Sequence, residues 1–196
     1  MHTPLDPAAI DQLFRTARSH NGWLDKPVSR QQIETIHDWM KWGPTSANCL
    51  PARLVFLTTP KAKERLKPAL DAGNIEKTMT APVVVILGYD LAFPDTLPRL
   101  FPHTDARSWF AGNDEKILAT AKLNSTLQGA YLIMAARAVG LDCGPMSGFD
   151  NAMVDAEFFP GGTVKSNFLC NLGYGDPDKL FPRLPRLDFK ECCEIL

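Results

Sequence analysis

Apolar residues recur at helical spacing near the start of the chain and crowd into short unbroken runs further on. After Asp6-Pro7, an N-cap with proline at N1, residues Ile10, Leu13 and Phe14 predict a first helix that fades near Arg18. Ser29 and Gln32 form a capping box ahead of Ile33, Ile36, His37 and Met40, spaced i, i+3, i+4, i+7. That spacing predicts a helix to about 39–41, with His37 a structural residue on the rim of its buried stripe. A strand is expected at 53–58, a helix capped by Thr59-Pro60 running towards Leu70, and a short helix near 74–79. The run "APVVVILGYD" (81–90) has the unbroken apolarity of a strand buried on both faces of a sheet.

Further on, Asn113 caps a long helix, 114–139, whose second half, "GAYLIMAARAVG", is apolar almost all round. Such a helix is expected to be buried on several sides, one of them against a partner chain. "LDCGPMSGFD" reads as a Gly/Pro-rich turn, and Asp150 as the cap of the short helix "NAMVDAEFF". "KSNFLCNLGYG" supplies a last strand at about 165–173, and residues 176–196 form a tail. Strands alternating with helices argue an α+β or α/β domain. Residues 91–112 show no periodicity yet carry Phe93, Phe101, His103, Arg107, Trp109 and Phe110. A patternless stretch of that length in a compact domain reads as a lid or flap.

The totals exclude more than they identify. The 196 residues suit one domain, and 45% hydrophobic with 22% charged residues is ordinary for a globular protein. A net charge of −1 offers no electrostatic footprint for nucleic acid or an anionic membrane. No run approaches a membrane span, and the start lacks the basic and apolar regions of a secretory signal. The five cysteines form no C-x-x-C, and with four scattered histidines no zinc spacing appears, so reduced, buried thiols in a cytoplasmic protein are expected.

Four polar segments remain: "ARSHNGW" (17–23), "GPTSAN" (43–48), "GPMSGFD" (144–150) and "RLPR" (183–186). Arg18, Arg183 and Arg186 suit a phosphate, which guanidinium grips with paired charge-assisted bonds. Thr45, Ser46 and Asn48 suit the polar edge of a heteroaromatic ring, and Gly148 permits close approach of a backbone N–H. Each has a plain counterpart: surface ion pairing for the arginines, turn entry for Pro-Thr-Ser, a simple connection for the glycines. No G-K-[ST], third Rossmann glycine, Ser-His-Asp set or H-E-x-x-H accompanies them. The residues alone describe a binder of a phosphorylated polar ring.

The order of these segments resembles the flavin-dependent nitroreductase family over nearly the whole chain. The family's "PSS-x-N-x-QPW" loop appears as "PTSANCLPA", keeping Pro44, Ser46, Asn48 and Pro51 with Thr45 in place of serine. Its "A-R-x-x-G-L-G…P-x-x-G-F-D" appears as "AARAVGLDCGPMSGFD", followed by a "GYG" strand end and a basic tail. Longer runs such as "HNGW", "DARSWF" and "GPMSGFD" are similar to the RutE/HadB-type malonic semialdehyde reductases within that family.

The resemblance implies one nitroreductase-like α+β domain over 1–196, with a mixed, mainly antiparallel sheet flanked by helices. It further implies an intertwined homodimer with FMN at the subunit interface and NADPH or NADH as hydride donor. The implied reaction reduces malonic semialdehyde to 3-hydroxypropionate by hydride transfer through the flavin, without a side-chain nucleophile. Nitroaromatic or quinone reduction, and flavin binding without turnover, are the alternatives. By the same resemblance Arg18, Ser19 and Asn21 meet the FMN phosphate and ribityl chain, although "ARSHN" departs from the family's "RRS-x-R" at Ala17 and Asn21. Pro44, Thr45, Ser46 and Asn48 come from the second subunit, and Asn74 meets the pyrimidine edge. Pro145, Ser147 and Gly148 lie beside the reactive ring atom, with the Gly148 backbone nearest. Arg183 and Arg186 close on the phosphate as the tail completes the site. Arg107, near His103 in the 91–112 segment, is the candidate anchor for a substrate carboxylate.

Overall fold

The computed structural model describes residues 3–196. Asp6 accepts a hydrogen bond from the Ala9 amide and opens α1 (Pro7–Ile10), which passes into a π-helical segment, Asp11–Arg15. The expected stripe is not buried here: Phe14 remains 55% exposed. Helix α2 (Arg30–Met40) carries the capping box between Ser29 and Gln32 in full. It buries Ile36 and Met40 but leaves His37 exposed, so His37 is a surface residue and not part of the core rim.

Strand β1 (Ala52–Leu57) leads through the Thr59 cap into α3 (Pro60–Leu66), then α4 (Ala72–Met79) and β2 (Val83–Asp90). Residues 91–112 are not structureless. They form a 3-10 turn, Phe93–Thr96, the short α5 (Leu97–Leu100) and a second 3-10 turn, Ala106–Phe110. Phe93, Leu97, Ala106 and Phe110 build a small core of their own with Cys49 and Ala121. Its apolar positions face a private cluster, so they follow no amphipathic period.

Helix α6 (Asp114–Ala138) starts with the Lys116 amide donating to Asn113. The presumed turn after it is a strand, β3 (Asp142–Met146), followed by α7 (Asn151–Phe158) and β4 (Val164–Gly173). Proline within β3 is tolerated because this is an edge strand. The sheet runs in the order β1-β2-β4-β3, with all three pairings antiparallel. Among the described residues the parallel component is a single bridge, Ser19 to Cys143.

Side chains alternate across the sheet. Val83 and Val85 pack with Ile36, Met40, Leu132 and Ala136 on the α2/α6 face, while Val84 and Ile86 pack with Leu66, Leu70 and Val154 on the other. A Cβ on Gly129 would lie 2.5 Å from the Phe168 ring, so glycine is what lets α6 lie down on the sheet. The tail holds one 3-10 turn, Pro177–Lys179, and α8 (Phe189–Cys192), with Phe181, Leu184, Leu187 and Phe189 exposed. Cys49, Cys143 and Cys170 are buried as expected, whereas Cys192 and Cys193 are exposed. Among the described residues no helix is long and apolar enough to cross a membrane, and no group of three metal-ligating side chains gathers.

Candidate functional site

The β3 edge gathers residues that lie far apart in sequence. The Ser19–Cys143 bridge lays the 17–23 segment along β3, with the His20 amide donating to the Cys143 carbonyl at 2.9 Å. The tail then folds back on this segment. Arg183 Nη2 donates to the Arg15 and Ala17 carbonyls at 3.0 and 2.9 Å, and Arg18 donates to the Phe181 carbonyl. The result is a cleft of about 600 Å3 lined by Arg18, Ser19, Asn21, Arg137, Arg183 and Arg186. Three of its arginines are those expected from sequence. Arg137 was missed, because in "AARAVG" it looks like the polar position of a core helix.

The hydrogen bonds of these four guanidinium groups leave the cleft cationic. Arg18, Arg137, Arg183 and Arg186 donate only to backbone carbonyls, and among the described residues none pairs with a carboxylate. Arg137 Nη1 reaches the Leu13 carbonyl at 2.8 Å, while its buried Nε has no partner. An enclosed donor without an acceptor is costly unless a ligand supplies one.

A second, apolar hollow lies on the face of α6 that carries Arg137. Thr126, Ala130, Ile133 and Arg137 share that face, and the first three line this shelf, about 380 Å3 in volume, with Pro145, Met146, Ser147 and Phe168. From Thr126 to Arg137 the helix rises about 16 Å. Pro145 and Ser147 are exposed on this shelf. Gly148 lies behind it, its carbonyl accepting from Asn74 Nδ2 at 2.7 Å and from the Asp71 amide at 3.2 Å. A Cβ there would stand 2.5 Å from Asn74 Nδ2 and 2.7 Å from Asp71 Oδ2. The amide nitrogen of Asn74 is thus committed to the Gly148 carbonyl. One turn along α4, Lys77 lines a third hollow with Asn21, Lys179 and Phe181, and burial lowers the pKa of its ammonium. Sequence reasoning missed Lys77 as well; its i, i+3 spacing from Asn74 was the available signal.

The 44–48 loop is elsewhere. It enters β1, the opposite edge of the sheet, three strand spacings or about 14 Å from β3. Ser46 and Asn48 are exposed and Thr45 is half-buried. Ala47, Asn48 and Leu50 all hold left-handed φ, at 50°, 49° and 39°, each costing on the order of 1–3 kcal/mol. Below them Cys49 is fully buried, and burial pushes its thiol up to about 11. Asn48 Nδ2 donates to the Leu100 carbonyl at 2.8 Å, tying the loop to the 91–112 segment. His103 stacks edge-on against Phe101, and Arg107 pairs with Asp95 at 2.7 Å on the surface. Within one chain, therefore, Pro44, Thr45, Ser46, Asn48, His103 and Arg107 do not join the arginine cleft.

Residues 14–160 match the family model described as the Nitroreductase family. The chain belongs to the nitroreductase family. A Burkholderia lata relative, provisionally named NADH dehydrogenase/NAD(P)H nitroreductase, is 63% identical over 193 residues, covering 98% of this chain and 99% of the relative. A Ralstonia nicotianae relative with the same provisional name is 57% identical, covering 98% of each chain. Among solved structures, a nitroreductase family protein of Streptococcus pneumoniae superposes with a TM-score of 0.84 at 20% identity, over 94% of this chain and 98% of that one. An FMN complex of a nitroreductase-type protein from Exiguobacterium sibiricum superposes at 0.85 with 18% identity, over 100% and 99%. At those identities the superpositions speak for the nitroreductase fold, helices around a four-stranded antiparallel sheet.

Proposed function

We propose that the protein is an FMN-dependent NAD(P)H oxidoreductase, and that malonic semialdehyde is its acceptor. The observation that carries the cofactor is the cleft of four arginines that pair with no carboxylate among the described residues, together with an apolar hollow set on the same face of α6 as Arg137. A phosphate suits the arginines that line the cleft, and a flat heteroaromatic ring suits the shelf. The neighbouring FMN complex and the names of the relatives support the same reading. Bound there, FMN supplies hydride chemistry between the nicotinamide donor and the acceptor.

The chain's own residues bind and orient. Arg18, Arg137, Arg183 and Arg186 neutralise phosphate charge, and Ser19 and Asn21 offer hydroxyl and amide groups to the polar chain. Pro145, Ser147 and Ile133 floor the ring and keep water from one face, with the Gly148 backbone held flush by Asn74.

The site is completed by a second copy. Leu123, Leu127 and Tyr131 form an exposed i, i+4, i+8 row on α6, next to the stripe that lines the shelf, and the Tyr131 ring packs on Gly43. A row of this kind marks an interaction surface. A two-fold contact across it sets the Thr45, Ser46 and Asn48 loop of each copy beside the shelf of the other. His103 and Arg107 travel with that loop, placing a cation within reach of an acceptor's carboxylate.

A second acceptor class, nitroaromatics, is favoured by the names of the relatives. An absorbance spectrum decides the order of these claims. Yellow protein should bleach with anaerobic NADPH and recover on addition of malonic semialdehyde. Recovery with a nitroarene alone transfers the activity to that class. Protein that cannot be loaded with FMN removes the cofactor reading altogether.

A further inference from the structure

Helix α6 buries polar side chains where its sheet-facing side should be apolar: Asn124 and Ser125 are fully enclosed and Gln128 is 5% exposed. Buried amides are costly unless their bonds are made, so their partners state their purpose. Ser125 donates to the Gly88 carbonyl in β2, an ordinary core contact. The two amides act elsewhere. Asn124 Oδ1 accepts from the Ser46 amide at 2.7 Å, and its Nδ2 donates to the Thr120 carbonyl at 2.8 Å, which fixes the rotamer. One turn later Gln128 Oε1 accepts from the Ala52 amide at 2.9 Å. The helix therefore grips both ends of a seven-residue segment whose middle holds three left-handed, non-glycine residues. The loop is closed by Thr45 Oγ1, one residue before the first grip, which accepts from the Leu50 amide at 3.3 Å, and between the grips by the buried Cys49.

We infer that Asn124 and Gln128 are positioning residues: they hold the 46–52 loop in its strained shape so that Thr45 and Ser46 are presented to the cofactor of a second copy. The second half of that statement rests on the FMN reading above; the first half does not. Strain of this kind persists only where the surroundings over-determine it. Without the grips, the loop relaxes towards ordinary φ values, Cys49 loses its cover and the hydroxyl groups lose their register.

The test uses the full-length protein carrying Cys192→Ser and Cys193→Ser, so that the remaining thiols are the buried Cys49, Cys143 and Cys170. Reaction with 5,5′-dithiobis(2-nitrobenzoate) is followed without cofactor, and FMN affinity by fluorescence titration. Asn124→Leu should expose one thiol at least about tenfold faster and weaken FMN about tenfold, with Gln128→Leu acting the same way. Gln128→Glu, which keeps an acceptor at the same atom, should restore both. Unchanged thiol rates in both leucine variants would overturn the inference, as would release of one thiol with FMN affinity intact. If Asn124→Leu releases all three thiols it has unfolded, and the Gln128→Leu and Gln128→Glu pair then decides. A parent protein that takes up no FMN sinks the cofactor reading, and the thiol rates alone then stand or sink the grip.

Discussion

At the β3 edge four guanidinium groups line one cleft, and among the described residues no carboxylate meets them and one of their donors has no acceptor. At the β1 edge the reverse holds. The 44–52 loop satisfies its amides internally through Thr45, Asn124 and Gln128, and sits on a sealed cluster around Cys49 and Phe93. One edge is left chemically unfinished; the other is finished and stiff. An unfinished edge costs stability unless a ligand completes it, whereas a stiff edge holds its exposed groups in fixed directions. A receiving surface and a presenting surface at opposite ends of one sheet are what a two-fold assembly with shared sites requires.

The receiving edge should break first. Arg18→Ala with Arg186→Ala removes two charge-assisted contacts of about 1.5–3 kcal/mol each. FMN retention through gel filtration should fall by more than about a hundredfold, with the apo protein's Tm little changed because neither side chain bonds beyond backbone carbonyls. Full occupancy in the double variant would remove the phosphate from this cleft. The shelf behind it is next. Gly148→Ala drives a methyl against Asn74 Nδ2 and Asp71 Oδ2, and overpacking of that sort costs about 1–3 kcal/mol. A lower Tm with weaker FMN binding is expected; an unchanged Tm would mean the Asn74 side chain swings clear.

How far the sequence foretold this contrast depended on which physical signal each region carries. Helices α2, α3 and α6 announce their starts through Ser29, Thr59 and Asn113, and β2 through its unbroken apolar run. Arg18, Arg183 and Arg186 stood out in the sequence because two separate arginine sites in a near-neutral chain suit a phosphate, and because the family resemblance falls on them. Arg137 and Lys77 were not, since each sits in a helix whose period accounts for it without a ligand. The β3 strand was hidden because Gly144 and Pro145 are strand-averse and are tolerated only at an edge. The 91–112 segment hid its structure differently, by burying Phe93, Leu97 and Phe110 in a cluster that no single period describes.

The stiffness of the presenting edge can be read through pH. Burial raises the Cys49 thiol from its ordinary 9.0 to about 11, against a smaller opposing pull from Thr45. The neutral thiol is thus favoured in the folded chain, and the unfolded chain gives up its proton first as pH rises through that window. Stability from this group is intact below pH 9 and declines between 9 and 11. After allowance for screening the loss is on the order of 1–2 kcal/mol. The stability difference between the wild type and Cys49→Ala should shrink by that amount from pH 8.5 to 11 in denaturant titrations. A constant difference would mean the loop is open enough for the thiol to ionise in place.

Arg107 supplies the smallest and most selective test of the same contrast. Its pairing with Asp95 is 2.7 Å long, but the two side chains are 61% and 63% exposed, and surface pairs of this kind contribute about 0–1 kcal/mol. Arg107→Ala should therefore leave the unfolding free energy within about 0.5 kcal/mol of the wild type. If the presenting edge carries Arg107 to the partner's shelf, KM for malonic semialdehyde should rise roughly five- to tenfold, the worth of about 1–1.4 kcal/mol, while a neutral aldehyde of the same length is unaffected. Equal KM changes for both aldehydes would return Arg107 to the surface pair seen here, and the carboxylate would then have to find its cation among the arginines of the receiving edge. Asp95→Asn separates the two cases further: freeing Arg107 from its partner should lower KM for the charged substrate if the guanidinium reaches it, and do nothing if it does not.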